Sequence, residues 1–153
     1  MESKIQRLHM FMIELNDTGW RYWLVTAALL TYGVIVDPLG YMLAIGLTVV
    51  HLLHFIMMKR SVTAFPIQVR FWYLSLLLLA QIEGLQWIYW IPTIGTWAQV
   101  LLGYCAMARF VSLLPWNSSE RFSFARVTRT FLARPVKGSI KQNVSAENKA
   151  RKL

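Results

Sequence analysis

The sequence predicts an all-α integral membrane protein, with four transmembrane helices arranged as two helical hairpins and interfacial amphipathic helices before and after them. Three observations predict it. Of the 153 residues, 56% are hydrophobic and only 15% charged, against about 45–50% and about 25% in an ordinary soluble domain. The apolar residues gather in four long stretches, each near the thickness of a bilayer's hydrocarbon core at about 1.5 Å per helical residue. The basic residues are confined to alternate ends of those stretches.

Residues 1–19 form the first element. Ile5, Leu8, Met12 and Leu15 recur at helical spacing with Lys4, Arg7 and Glu14 off that stripe, which predicts an amphipathic helix lying in the interface. Acidic residues interrupt its apolar positions and no small-residue cleavage site follows, so the segment does not read as a removed signal peptide. The domain at 20–116 then carries spans at about 20–36, 41–58, 71–91 and 94–114. Asp37-Pro38-Leu39-Gly40 separates the first two, and Pro92-Thr93-Ile94-Gly95 the last two; Pro and Gly in so short a connection predict tight turns, hence two hairpins. The longer link from Lys59 to Arg70 crosses between hairpins along the membrane surface. After Pro115, Ser118 or Ser119 can cap a basic helix within 117–134. Phe124, Val127 and Phe131 share one face of it, with Arg121, Arg126 and Arg129 available to lipid phosphates or a partner. The tail at 135–153 is basic and polar and reads as flexible; Arg134 and Lys137 extend the lipid- or partner-contacting set.

Charge sets the topology. All 16 Lys and Arg residues fall at the chain ends and in the Lys59–Arg70 link, and none in the two tight turns. A Lys/Arg excess in short loops marks the cytoplasmic side, so both termini are expected in the cytoplasm, with the bacterial inner membrane as the expected location. Trp and Tyr residues concentrate toward span ends, where amphipathic rings favour the headgroup level. The tail basicity points to anionic headgroups or an acidic partner; no module for nucleic acid is visible.

Function is less legible. Cys105 is the one cysteine, so no intrachain disulfide forms. There is no nucleophile elbow, no glycine-rich phosphate loop and no histidine-rich di-iron cluster, which argues against an enzyme acting alone. Two constellations stand out. On a helical wheel, His51 and His54 share the face of Gly40, Ala44 and Thr48, which predicts that they face the bundle interior. His51 lies about 12 Å and His54 about 8 Å inside the boundary marked by Lys59. The pair can supply two ligands to one metal, with Cys105 and Met107 completing a soft site suited to copper. Alternatively, each histidine binds a haem or pigment with help from elsewhere, or His51 simply donates an interhelical hydrogen bond and His54 marks the wet end of the span. Glu83 is read as an intramembrane carboxyl, about 20 Å from the boundary at Arg70, with Gln86 and Gln81 on the same span. Its roles would be a proton relay or a polar clamp. Arg109 reads as a snorkelling anchor.

The leading expectation is a non-catalytic accessory, anchoring or assembly subunit that contacts other membrane subunits and anionic lipid. The alternatives are a redox subunit holding haem, pigment or copper through His51 and His54, and a small proton-coupled carrier centred on Glu83.

Overall fold

The computed structural model describes residues 17–117 and 122–133, and every regular element among them is helical. The expected interfacial helix before residue 17, together with His9, Arg121, Arg134, Lys137 and the tail beyond them, lies outside the described residues.

Helix α1 (Thr18–Ile35) starts where Asp17 turns its carboxylate back onto the amides of Gly19 and Trp20, satisfying two of the donors that a helix start leaves open. Helix α2 (Leu39–Lys59) follows after three residues, in which Asp37 accepts from the Leu39 amide at 2.7 Å. The turn falls where the Asp-Pro-Leu-Gly motif predicts it. Glycines let the hairpin close: a Cβ added to Gly40 would stand 2.5 Å from the Leu29 carbonyl oxygen and 2.7 Å from the Gly33 Cα. The two backbones touch there, and only residues without side chains permit it. The buried face of α2 is Gly40, Ala44, Thr48, His51 and Phe55, the face that the helical wheel selects.

The second half of the bundle departs from expectation. Helix α3 (Phe65–Leu79) begins six residues before the predicted span, because Pro66 sits in its first turn, where a missing amide is no loss. It also ends twelve residues early. The chain turns at 80–85, with Gly84 in the left-handed region at φ 85°, and re-enters through a short 3₁₀ turn, Gln86–Tyr89. The expected turn at Pro92–Gly95 is instead helical, within α4 (Trp90–Leu102); Pro92 occupies its first turn, where it breaks no helical hydrogen bond. Gly103, also left-handed, ends α4, and α5 (Ala106–Ser112) continues after it, so residues 94–114 are not one helix. A 3₁₀ turn at Pro115–Asn117 and helix α6 (Phe124–Leu132) complete the described chain, with Ser123 at the cap position instead of Ser118 or Ser119.

α1 packs between α2 and α4, α2 also packs on α3, and α3 carries α5, against which α6 rests. The core joins Trp20, Trp23, Leu30, Ala44, Tyr73, Leu77, Tyr89 and Val100. Aromatic polar tips tie the helices across it: Trp20 Nε1 donates to the Val100 carbonyl at 3.0 Å, Trp97 Nε1 to Thr31 Oγ1 at 2.8 Å, and Tyr73 shares a 2.6 Å bond with Thr96. Among the described residues one helix, α2, is long and apolar enough to cross a membrane.

Candidate functional site

The most elaborate polar cluster in the described bundle is built on His51. The Gly40–Ala44–Thr48 stripe carries this side chain inward on α2, and its ring is 1% exposed. Tyr22 of α1 stacks on it with centroids 4.3 Å apart and planes 10° from parallel, and Trp23 and Phe55 meet it edge-on at 5.3 and 5.1 Å. From α3, Arg70 reaches in and donates Nε–H to His51 Nε2 at 2.9 Å. Its Nη1 donates to the Pro66 carbonyl at 2.7 Å, and its guanidinium lies 3.6 Å above the Phe55 ring. Arg70 is itself only 6% exposed.

This geometry fixes the chemistry of the ring. A guanidinium N–H can only donate, so His51 Nε2 is the acceptor and the neutral ring carries its proton on Nδ1. A metal or haem iron at Nε2 has to displace Arg70, leaving a buried charge without its partner. His54, half-buried and one turn further on, bonds through Nδ1 to the Tyr22 hydroxyl at 3.2 Å. The two histidines therefore share a helix face yet bond to different neighbours, one on α3 and one on α1. Arg70 joins three helices at one point: it bonds an α2 ring, lies over α2's Phe55, and stands 5.9 Å from the Trp23 ring of α1.

Cys105 and Met107 fall elsewhere. With Trp23, Tyr73, Thr96 and Gln99 they line a small apolar cavity of about 50 Å³ on the α4–α5 side. Cys105 Sγ accepts from the Ala108 amide at 3.3 Å, capping α5. The cavity and the histidine cluster share Trp23. Among the described residues no three His, Cys, Asp or Glu side chains gather as a metal ion requires.

Glu83 is not within a helix. It lies exposed in the 80–85 turn that follows α3. Gln81 and Gln86 flank it, also exposed. They border a hollow of about 300 Å³ with Pro38, Tyr41, Met42 and Tyr89, at the same end of the bundle as the first hairpin turn. Gln81 Nε2 points to Met42 Sδ at 3.4 Å.

Arg109 departs from expectation. A snorkelling side chain would run to water, but Arg109 is 1% exposed, with its guanidinium 4.2 Å above the Tyr104 ring and Nη1 donating to the Thr130 carbonyl. On α6, Arg126 turns toward the bundle and donates to the Ser112 carbonyl at 3.2 Å, whereas Arg129 is exposed. The expected face of Phe124, Val127 and Phe131 divides: Val127 and Phe131 are half-buried against the bundle, and Phe124 is 81% exposed.

The residue that sequence reasoning missed is Arg70, which reads there as a surface charge closing a loop. Its place in the first half of a helix behind Pro66 was the available signal, since that register puts it on the face of Ile67, Tyr73 and Leu77. No protein family, curated protein or solved structure matches the chain.

Proposed function

We propose that this chain is an integral membrane protein whose four apolar segments cross the bilayer, and that it acts as a non-catalytic accessory, anchoring or assembly subunit of a larger membrane complex. One observation carries the reading: the bundle's outer surface is broadly apolar, while polar and charged side chains are buried among its core residues. Its interior holds His51, Arg70, Arg109, Thr26, Thr48, Thr93 and Thr96, all buried. Its outer surface presents Ile35, Met42, Val50, Leu53, Met57, Phe71, Leu78, Trp90 and Ile94, each more than half exposed. Of the most apolar 18 residues of α2, only 22% are buried, whereas a core helix of a soluble protein is mostly covered. A water-facing monomer rarely shows contiguous apolar patches beyond a few hundred Å², while lipid tails or neighbouring subunits cover such a belt without penalty.

Lengths and charges support four crossings. α1 and α2 span about 27 and 32 Å, α3 about 22 Å and α4 about 20 Å, with a 3₁₀ turn before α4 and α5 following Gly103. The end that carries Asp37 and Glu83 has no basic residue among those described, and the other carries Arg21, Lys59 and Arg60. That asymmetry favours a cytoplasmic side for the α1 start and α6, as in a bacterial inner membrane. His51 and Arg70 bond to each other, and the four buried threonines each donate to the carbonyl four residues back, which suits a scaffold that presents its outer faces.

The test is gentle solubilisation of native membranes, alkaline extraction of a parallel sample, and mass measurement of the purified particle. The reading expects retention in the alkaline pellet and co-elution with a second membrane protein in fixed ratio. Release by alkali overturns the membrane assignment; a monomer free of companions overturns the accessory role.

A further inference from the structure

We infer that α6, together with Phe122 just before it, forms a docking surface for the anionic headgroup layer of the bilayer, with Phe122, Phe124 and Leu132 entering the interface. The inference rests on the membrane reading above and adds where, and through which side chains, the basic end of the chain meets lipid.

The roll of α6 is fixed by bonds to the bundle. Tyr104 donates its hydroxyl proton to the Phe131 carbonyl at 2.9 Å, Arg126 donates to the Ser112 carbonyl at 3.2 Å, and Arg109 donates to the Thr130 carbonyl. Held this way, Arg126, Val127, Thr130 and Phe131 turn toward the protein, all half-buried. Phe124, Thr128 and Leu132, at i, i+4 and i+8, form the outward face. Phe124 and Leu132 are 81% and 83% exposed, and Phe122 just before the helix is 77% exposed. Two bulky apolar groups on a nine-residue helix, presented outward by three tethers, have no covering partner among the described residues.

Charge names the occupant. Residues 118–153 carry nine Lys/Arg against Glu120 and Glu147, a net +7. The bundle end beside α6 adds exposed Lys59 and Arg60. It is joined to the segment before α6 by Trp116 Nε1 and Asn117 Nδ2, which both donate to Gln68 Oε1, at 3.0 and 2.6 Å. Trp116 and Phe110, which precede α6 in the chain, are exposed as well. A basic segment that presents aromatic residues beside a membrane-facing surface fits phosphate headgroups above and the acyl boundary below.

The full-length protein is labelled with a nitroxide at Phe124→Cys on a Cys105→Ala background, and reconstituted in discs of pure phosphatidylcholine or with about one third phosphatidylglycerol. Collisions with oxygen and with a water-soluble nickel chelate report depth. The oxygen-to-nickel accessibility ratio is expected to rise severalfold in the anionic discs and to fall back at about 1 M salt, where charge attraction is screened beyond about 3 Å. A label at Leu132→Cys should follow it, so the result does not hang on one substitution. Equal immersion in both discs overturns the headgroup assignment. Nickel access in both overturns the docking surface and leaves the face to a protein partner. A label at Val50→Cys on α2, exposed and about 13 Å inside the Lys59 boundary, separates this from failure of the membrane reading, because it reports lipid in either disc if the bundle spans the membrane.

Discussion

Replacing His51 by leucine tests whether the buried cluster is a lock between helices. The new side chain fills similar space but offers no acceptor, so Arg70 Nε is left without the 2.9 Å bond in a site where the arginine is 6% exposed. A hydrogen bond to a charged group contributes about 1.5–3 kcal/mol, and a buried charged donor left unmet costs at least that. Loss of the Tyr22 stack, at 4.3 Å and 10°, removes about 0.5–1.5 kcal/mol more. His51→Leu is therefore expected to destabilise the protein by about 2–4 kcal/mol. Arg70→Met leaves only a neutral ring nitrogen unmet and should cost about 1–3 kcal/mol. In the double variant both polar partners are gone, so its loss should fall short of the two single losses combined by at least about 1 kcal/mol. Unfolding in mixed micelles with increasing denaturing detergent, followed by Trp emission, gives all three values. Additive losses, or a His51→Leu protein within about 0.5 kcal/mol of the parent, would refute the lock.

Gly40→Ala puts a methyl group against the Leu29 carbonyl and the Gly33 backbone, neither of which can yield, and should cost about 1–3 kcal/mol or prevent hairpin closure in the same assay. Gly46→Ala, with nothing within 4 Å of the new carbon, should stabilise by about 0.5–1 kcal/mol; equal effects at the two glycines would argue against the close contact. Glu83→Gln, in an exposed turn, should change stability by less than about 0.5 kcal/mol and leave any proton flux of reconstituted vesicles unchanged. Tyr73→Phe removes the 2.6 Å bond to Thr96 and should cost about 1 kcal/mol, with no change in oligomeric state by size-exclusion chromatography. Because His51 Nε2 is held by Arg70, the visible absorption spectrum of the natively purified protein should be unaltered by His51→Leu; a band that disappears in the variant assigns the ring to a cofactor instead.

Local signals in the sequence determined much of the first hairpin. The Asp-Pro-Leu-Gly turn, the two apolar runs beside it and the small-residue face that carries His51 inward are short-range features, and the structure places each as read. The second half of the bundle is harder to read because two turn signals compete within one apolar run. Pro92 and Gly95 look like the break, yet a helix tolerates Pro in its first turn, while Gln81-Ile82-Glu83-Gly84 supplies both polarity and a left-handed glycine about ten residues earlier. Only tertiary structure decided what the histidines do. The partner of His51 lies 19 residues away, on a helix that begins six residues before the expected span, and Arg70 reads as a loop charge until packing of α3 on α2 buries it. The same holds for α6, whose amphipathic pattern allows several rolls about its axis. Three bonds to Tyr104, Ser112 and Arg109 choose the one that exposes Phe124 and Leu132, because an amphipathic sequence specifies a face and only its neighbours specify which way that face turns.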